Sequence, residues 1–246
     1  MKKIVTIILF LLIPLCLTFS NPFNRQVTTI ILDAGHGGSD PGAVATENGL
    51  TLQEKNINLE ITLSVKELLE EQLDCNVLLS RSDDSFISLA QRAAFAADNE
   101  IPFEKSNILI SIHVNSSTGN EATGFEIIIK EGRKRVSFLD SLVKDWALFR
   151  FASYPNSQLN ELLNRQNSLL ATYLLEALEN NFPDERSRGI KEQDLWVLNG
   201  SKIPSVLVEV GFLSNSFDFK KLATAEYRKR MAEAISAGIV AYVNRN

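Results

Sequence analysis

The chain contains only two histidines, and each stands directly after a stretch that predicts a buried strand. His36 follows the apolar residues 27–33, and His113 follows residues 107–112. In open α/β sheets the functional crevice lies outside the carboxyl ends of the strands, so two imidazoles from separate strands can converge there. Two imidazoles and one carboxylate are a common ligand set for a catalytic zinc ion that keeps its fourth position for water.

Two acidic residues are placed to complete such a site. Glu54 lies in the first turn of a helix predicted to begin at Leu52, near the loop that carries His36. Glu209 follows the apolar run 205–208, where a carboxylate must be paired, bind a metal or have a raised pKa. With one acid as a ligand and the other as a general base, the four residues would form a metal hydrolase site.

Each of these residues also has a structural interpretation that the sequence leaves open. A histidine at a strand end often serves only as a hydrogen-bonding residue, and Glu54 suits the positive end of a helix dipole. The glycine-rich loop at residues 35–38 is also compatible with a tight turn or a phosphate cradle. No GxGxxG or Walker pattern accompanies it, which disfavours a nucleotide site.

The pattern of the whole chain predicts a single α/β domain, a twisted and mainly parallel sheet of about six strands with helices on both faces. Strands are predicted at residues 27–33, 75–80, 107–112, 124–129, 195–198 and 205–208. Helices are predicted at residues 52–73, 89–97, 160–180 and 225–243.

The amino terminus predicts export. Residues 1–20 combine a basic start, an apolar run and small residues, which is typical of a signal peptide cut after Ser20. An uncleaved anchor and a lipoprotein cysteine at Cys16 are the alternatives. We expect a periplasmic or extracellular protein with no stable membrane span after cleavage. The full chain has a net charge of −5, which gives no support to a nucleic-acid partner. Cys75 is interpreted as a buried thiol.

Five motifs in register resemble the zinc-dependent N-acetylmuramoyl-L-alanine amidase family, Amidase_3. They are residues 32–38 with 40–43, 54–59, 81–84 with 89–92, 111–116, and 204–215. The resemblance covers residues 28–242 in order and without a missing block. A set of five motifs in one order is highly specific.

The resemblance implies that His36, Glu54 and His113 bind Zn²⁺ and that Glu209 is the catalytic acid and base. It implies hydrolysis of the peptidoglycan amide that joins the lactyl group of N-acetylmuramic acid to L-Ala, by a catalytic domain at residues 27–245. Arg81 is interpreted as a structural arginine that anchors loops by charge-assisted hydrogen bonds.

Residues 131–165 are longer than the family pattern requires. Some family members carry an inserted helix here that covers the site, so the segment is predicted to be a regulatory lid that a protein activator displaces. Asp140 or Asp145 would then reach the zinc, and deletion of residues 133–160 would raise activity. The alternative is a passive surface excursion.

Two other functions stay open at this stage. One is a different secreted zinc peptidase that acts on the stem peptide, which would use the same metal set and differ in its products. The other is a non-catalytic wall-binding regulator on the same fold. The presence of all four site residues disfavours the regulator.

Overall fold

The computed structural model describes residues 21–99, 101, 105–140 and 144–245. The predicted signal peptide at residues 1–20, with Cys16, lies outside the described residues. Among the helices of the described part, none is both long and apolar enough to cross a membrane.

A six-stranded sheet forms the centre of the molecule, and a separate two-stranded hairpin lies beside it. The strands are β1 (Gln26–Ala34), β2 (Val44–Glu47), β3 (Leu50–Gln53), β4 (Asn76–Leu79), β5 (Lys105–Asn115), β6 (Phe125–Lys130), β7 (Ser187–Gln193) and β8 (Ser205–Phe212). The order in the sheet is β4-β1-β5-β8-β6-β7. Only the β8–β6 pair is antiparallel, so β6 and β7 run against the other four strands. The predicted fold class is confirmed.

Helices cover the two faces of the sheet unequally. They are α1 (Glu54–Gln72), α2 (Leu89–Asp98), α3 (Asp145–Phe151), α4 (Asn156–Asn181), α5 (Trp196–Asn199), α6 (Ser216–Leu222) and α7 (Ala225–Val243). Alternate residues of β5 such as Ile110 and Ile112 pack against α1, α4 and α7 in the larger core. Leu109 faces the other side, where the described helical residues that pack against the sheet come from α2, the short α5 and, at Trp146, α3. Because strand side chains alternate, His113 points to this thinly covered face.

The strand predicted at residues 195–198 is wrong, because these residues begin helix α5. Val197 and Leu198 are buried while Trp196 is exposed, and the amides of Leu198 and Asn199 both donate to the carbonyl of Leu195. The sixth strand is instead β7, which the sequence analysis missed. It is a polar edge strand with a glycine inside it, and such strands carry little apolar alternation.

The β2–β3 hairpin and helix α6 were also not predicted. The hairpin had a local signal, because its two-residue turn is Asn48-Gly49, with φ of 48° and 81°. A type I′ turn requires positive φ at both central residues, and Asn-Gly is its preferred sequence. The hairpin leads directly into α1 and so brings the chain to Glu54.

The close packing of α4 on α7 should make Gly238 intolerant of a side chain. A Cβ atom at Gly238 would lie 2.8 Å from the Cα of Leu174, which is backbone and cannot rotate away. We expect Gly238→Ala to lower the free energy of unfolding by about 1–3 kcal/mol, measured by urea denaturation. Gly119→Ala is the matched control, because nothing lies within 4 Å of that position. Equal stability of the two variants would contradict this packing.

Candidate metal centre

The loop after β1 carries His36 in an unusual backbone conformation. His36 has φ of 60°, the left-handed region that side chains other than glycine rarely adopt. Such a residue costs of order 1–3 kcal/mol and persists only where its surroundings hold it. Two arginines and a lysine supply these surroundings.

Arg81, just beyond β4, holds the loop through its guanidinium group. Its Nε donates to the carbonyl of Ala34 at 2.9 Å, and one Nη donates to the carbonyls of Gly35 at 2.9 Å and Lys55 at 2.8 Å. The Lys55 Nζ in turn donates to the carbonyl of Gly38 at 2.8 Å. The predicted structural role of Arg81 is therefore confirmed.

Arg92 of α2 forms a second buried clamp. It pairs with the buried Asp33 of β1 and donates to the carbonyls of Ala34, at 2.7 Å, and His36. The Ser111 hydroxyl donates to Asp33 at 2.7 Å. Burial alone would raise the pKa of Asp33, but the charge of Arg92 and hydrogen bonds from serine hydroxyls hold it below its ordinary value. Arg92 lies in the motif at residues 89–92, and its role in holding the loop was not predicted from the sequence.

Glu54 is the first residue of α1 and lies buried beneath the loop. The amide of Ala43 donates to its Oε2 at 2.8 Å, and the amide of Val114 donates to its Oε1 at 3.1 Å. Burial raises the pKa of Glu54, but hydrogen bonds with His113 and His36 hold it well below its ordinary value. The carboxylate is thus ionised, as a metal ligand must be.

The three predicted ligands meet at one point. Glu54 Oε1 lies 2.9 Å from His113 Nδ1 and 3.2 Å from His36 Nε2. The ligand atoms of all three residues lie within 4.8 Å of one another, so this group could hold a metal ion. The other nitrogen of His36, Nδ1, lies 2.8 Å from Asp40 Oδ2, a contact that fixes the ring orientation. Asp40 is a site residue whose role the sequence analysis missed.

Glu209 lies beside this group without belonging to it. It is the register partner of His113 across β5 and β8, and a bulge in β8 follows it. The side chain is half-buried, and its shielded Oε2 has no hydrogen-bond partner among the described residues. Burial and the negative charges of Glu54 and Glu126 raise its pKa well above the ordinary value. A carboxyl group of this kind can take up and return a proton.

A cavity of about 290 Å³ opens on the thinly covered face of the sheet. His36, Asp40 and His113 line one side, and the apolar wall includes Phe86 and Leu89. The Phe86 and Leu89 side chains are more than half exposed, so the cavity is bordered by an accessible apolar rim.

The inserted segment 131–165 starts on the far side of the sheet from this site. It leaves from the end of β6, which runs against β8, and therefore begins at the edge of the sheet opposite to His113. Most of its described apolar residues pack with Phe23 in a separate cluster, whereas Trp146 also packs against the apolar cluster on the face that carries His113. Asp140 lies 2.7 Å from Lys202, which precedes β8, so this contact does not support Asp140 as a group that reaches the metal ligands. The regulatory lid stays a prediction. Asp145 begins α3 within the same segment.

Comparison with known proteins identifies one matching family and several relatives of this chain. Residues 30–241 match the Amidase_3 family, described as N-acetylmuramoyl-L-alanine amidase. The uncharacterized protein YqiI of Bacillus subtilis is 36% identical over 217 residues, which span 88% of this chain and 85% of that protein. A Buchnera aphidicola protein, provisionally named as an N-acetylmuramoyl-L-alanine amidase, is 30% identical over 236 residues, covering 89% of this chain and 95% of its own length.

A solved structure has the same fold. The CwlD amidase from Clostridioides difficile, determined in complex with the GerS lipoprotein, superposes with a TM-score of 0.68 at 28% identity. The match covers 89% of this chain and 100% of that chain.

Replacement of Arg81 by lysine should destabilise the protein although the charge is kept. A lysine cannot reproduce the fork that donates to carbonyls from three segments, and hydrogen bonds from charged donors contribute about 1.5–3 kcal/mol each. We expect Arg81→Lys to lower the free energy of unfolding by about 3 kcal/mol in urea denaturation. Arg165→Lys, an exposed pair on α4, is the control and should change it by less than about 0.5 kcal/mol. A change in Arg81→Lys no larger than this control would contradict the clamp.

Proposed function

We propose that this chain, which belongs to the Amidase_3 family of N-acetylmuramoyl-L-alanine amidases, is a zinc enzyme in which Glu209 acts as acid and base. As an amidase of this family it hydrolyses the amide between the lactyl group of N-acetylmuramic acid and L-Ala in peptidoglycan. The observation that carries the proposal is the placement of Glu54 Oε1 between two imidazole nitrogens, next to Glu209, whose Oε2 has no hydrogen-bond partner among the described residues.

His36, Glu54 and His113 would hold the zinc ion. Two imidazoles and one carboxylate leave a fourth position for water, the donor set typical of catalytic zinc. The contact of His36 Nδ1 with Asp40 directs Nε2 toward Glu54, which supports Nε2 as the coordinating atom. When bound, zinc would polarise the scissile carbonyl and lower the pKa of a water molecule.

Glu209 would move the proton. Its carboxylate accepts a proton from the attacking water as the oxygen approaches the carbonyl carbon. The same group donates that proton to the amide nitrogen as the carbon–nitrogen bond breaks, which releases the amine of L-Ala. A raised pKa suits both steps, because it makes the carboxylate a stronger base toward the water and favours the protonated form that donates to the amide nitrogen.

We further propose that residues 27–245 form the catalytic domain and that residues 1–20 direct export to the periplasm or the cell exterior. The location of the substrate supports export, since peptidoglycan lies outside the cytoplasmic membrane. A protein activator stays a prediction; the complex of the related CwlD with a lipoprotein gives it general support. The described part of the inserted segment gives no support to an activator that works by uncovering the site.

Replacement of Glu209 by glutamine should remove turnover and spare the metal. Glutamine keeps the size of the side chain but cannot accept the proton, and a general acid or base is worth roughly 10²–10⁴-fold in rate. We expect that loss when mature protein digests purified sacculi and the soluble products are identified by mass spectrometry. Zinc content, measured by atomic absorption, should stay near that of the wild type.

His113→Ala is the matched comparison, because it should lose both activity and zinc. Glu209→Gln with wild-type turnover would contradict the role of Glu209. Free stem peptides that begin at L-Ala identify the amidase, whereas release of D-Ala would favour the alternative stem-peptide peptidase. A zinc-loaded wild type that releases no products would favour the non-catalytic regulator.

Asp40 should contribute to metal affinity without binding the ion. Partners that orient a ligating histidine are typically worth 10–100-fold in affinity. We expect Asp40→Asn to weaken zinc binding by roughly that factor in competition with a chromophoric chelator. Asp84→Asn is the control, since Asp84 is an exposed acid that binds the Gly38 amide and Lys55 and does not contact the histidines. Equal zinc affinities of the two variants would contradict the positioning role.

A further inference from the structure

A cluster of charged residues on β6 and β7 adjoins Glu209 and has no part in the proposed proton transfer. Glu126 of β6 is the register partner of Glu209 across the antiparallel β6–β8 pair. Residues directly opposite in such a pair have side chains on the same face, with Cβ atoms about 5 Å apart. Glu126 therefore faces the same side of the sheet as Glu209 and His113.

Two cations reach Glu126 from the edge strand β7. The Nε of Arg188 lies 2.6 Å from Glu126 Oε2, and the Nζ of Lys191 lies 2.5 Å from the same oxygen. Asn115 donates to the other oxygen of Glu126 at 3.0 Å. Arg188 also lies over the ring of Phe212, with 4.8 Å from its Cζ to the ring centroid.

A bulge in β7 makes this convergence possible. Residues three apart on a regular strand point to opposite faces. Between the pairs Phe125↔Ser187 and Ile127↔Ile190, β7 contains one residue more than β6. Gly189 lies in this interval with φ of 74°, a conformation that glycine adopts without strain. The bulge turns Arg188 and Lys191 to the same carboxylate, and bulges of this kind re-aim side chains next to active sites.

The cluster carries more positive than negative charge toward solvent. Glu126 is buried, whereas the side chains of Arg188 and Lys191 are 20% and 35% exposed. Both cations share one oxygen of Glu126. The remaining donors of the ammonium group and of the guanidinium fork are thus available to a further anion at the edge of the cleft.

We propose that Arg188 and Lys191 form a substrate subsite that binds a free carboxylate of the stem peptide, beside the scissile amide. This inference rests on the proposed function of the site. In peptidoglycan the residue after L-Ala is a glutamate joined through its side-chain carboxyl, which leaves its α-carboxylate free. One residue spans at most about 3.6 Å, so this carboxylate lies within roughly 7 Å of the scissile bond. The two cations contact Glu126, the residue directly opposite Glu209 on the neighbouring strand.

The structural alternative is that the two cations only offset the charge of Glu126. Like charges directly opposite in a β-ladder are destabilising, and Glu126 faces Glu209. In that case substitution of Lys191 would affect every substrate equally, because the cluster would not touch the substrate. The two interpretations therefore differ in how the effect depends on the substrate.

The test compares two synthetic N-acetylmuramyl peptides that differ only at the α-carboxyl of the second residue, free in one and a carboxamide in the other. We expect Lys191→Gln in the zinc-loaded protein to lower kcat/KM on the carboxylate substrate by about 10-fold or more, mainly through KM. On the carboxamide substrate the change should stay within about 2-fold. Lys191→Arg should keep the carboxylate preference of the wild type.

The ratio of the kcat/KM values on the two substrates does not depend on how much of a variant is folded. Lys134→Gln, which removes an exposed lysine at the far edge, is the matched control and should leave both substrates unchanged. An equal loss on both substrates, or no loss on either, would overturn the subsite alone. A zinc-loaded wild type that hydrolyses neither substrate would overturn the proposed function and the subsite together.

Discussion

The architecture of the site depends on one buried carboxylate. Glu54 begins α1, accepts amide hydrogens from the loop after β1 and from the end of β5, and lies within 3.2 Å of both imidazoles. A buried charge needs such partners, since burial without them costs several kcal/mol. The same contacts that satisfy Glu54 fix the relative positions of a helix, a loop and a strand. The contacts that compensate the buried charge of Glu54 are therefore the same contacts that assemble the site.

The loop that carries His36 has little regular secondary structure, and two arginines hold it in place through hydrogen bonds to its carbonyls. The carbonyls of Ala34, the last residue of β1, and of Gly35 would be unsatisfied if they were buried alone. Arg81, just beyond β4, donates to both carbonyls, and Arg92 of α2 donates to that of Ala34. These donors hold the left-handed His36, whose strain the loop could not retain by itself.

The sequence predicted the parts that repeat a strong local pattern. Apolar runs and helical spacing located most of the sheet and the long helices, and the positions after buried strands located His36, His113 and Glu209. The resemblance suggested Glu54 as the third ligand. Prediction failed where tertiary context decides the type of secondary structure. Val197 and Leu198 are apolar residues that would be buried equally well in a strand or in a helix. Prediction failed as well for β7, whose polar residues are explained only by Glu126 on the neighbouring strand. The length of the inserted segment did not reveal the direction of β6, and so did not show at which edge of the sheet the segment starts.

Because β6 runs in the reverse direction, it starts at the edge of the sheet that carries the cleft and ends at the opposite edge. β6 leaves the cleft edge at residue 125, and β7 starts again at that edge at residue 187, after α4. About 26 Å of strand separates Lys105, at the far edge, from His113, since each residue advances about 3.3 Å. The connection between β6 and α4 therefore starts at the edge of the sheet remote from Glu209. A change in the length of this connection alters the chain first at that remote edge.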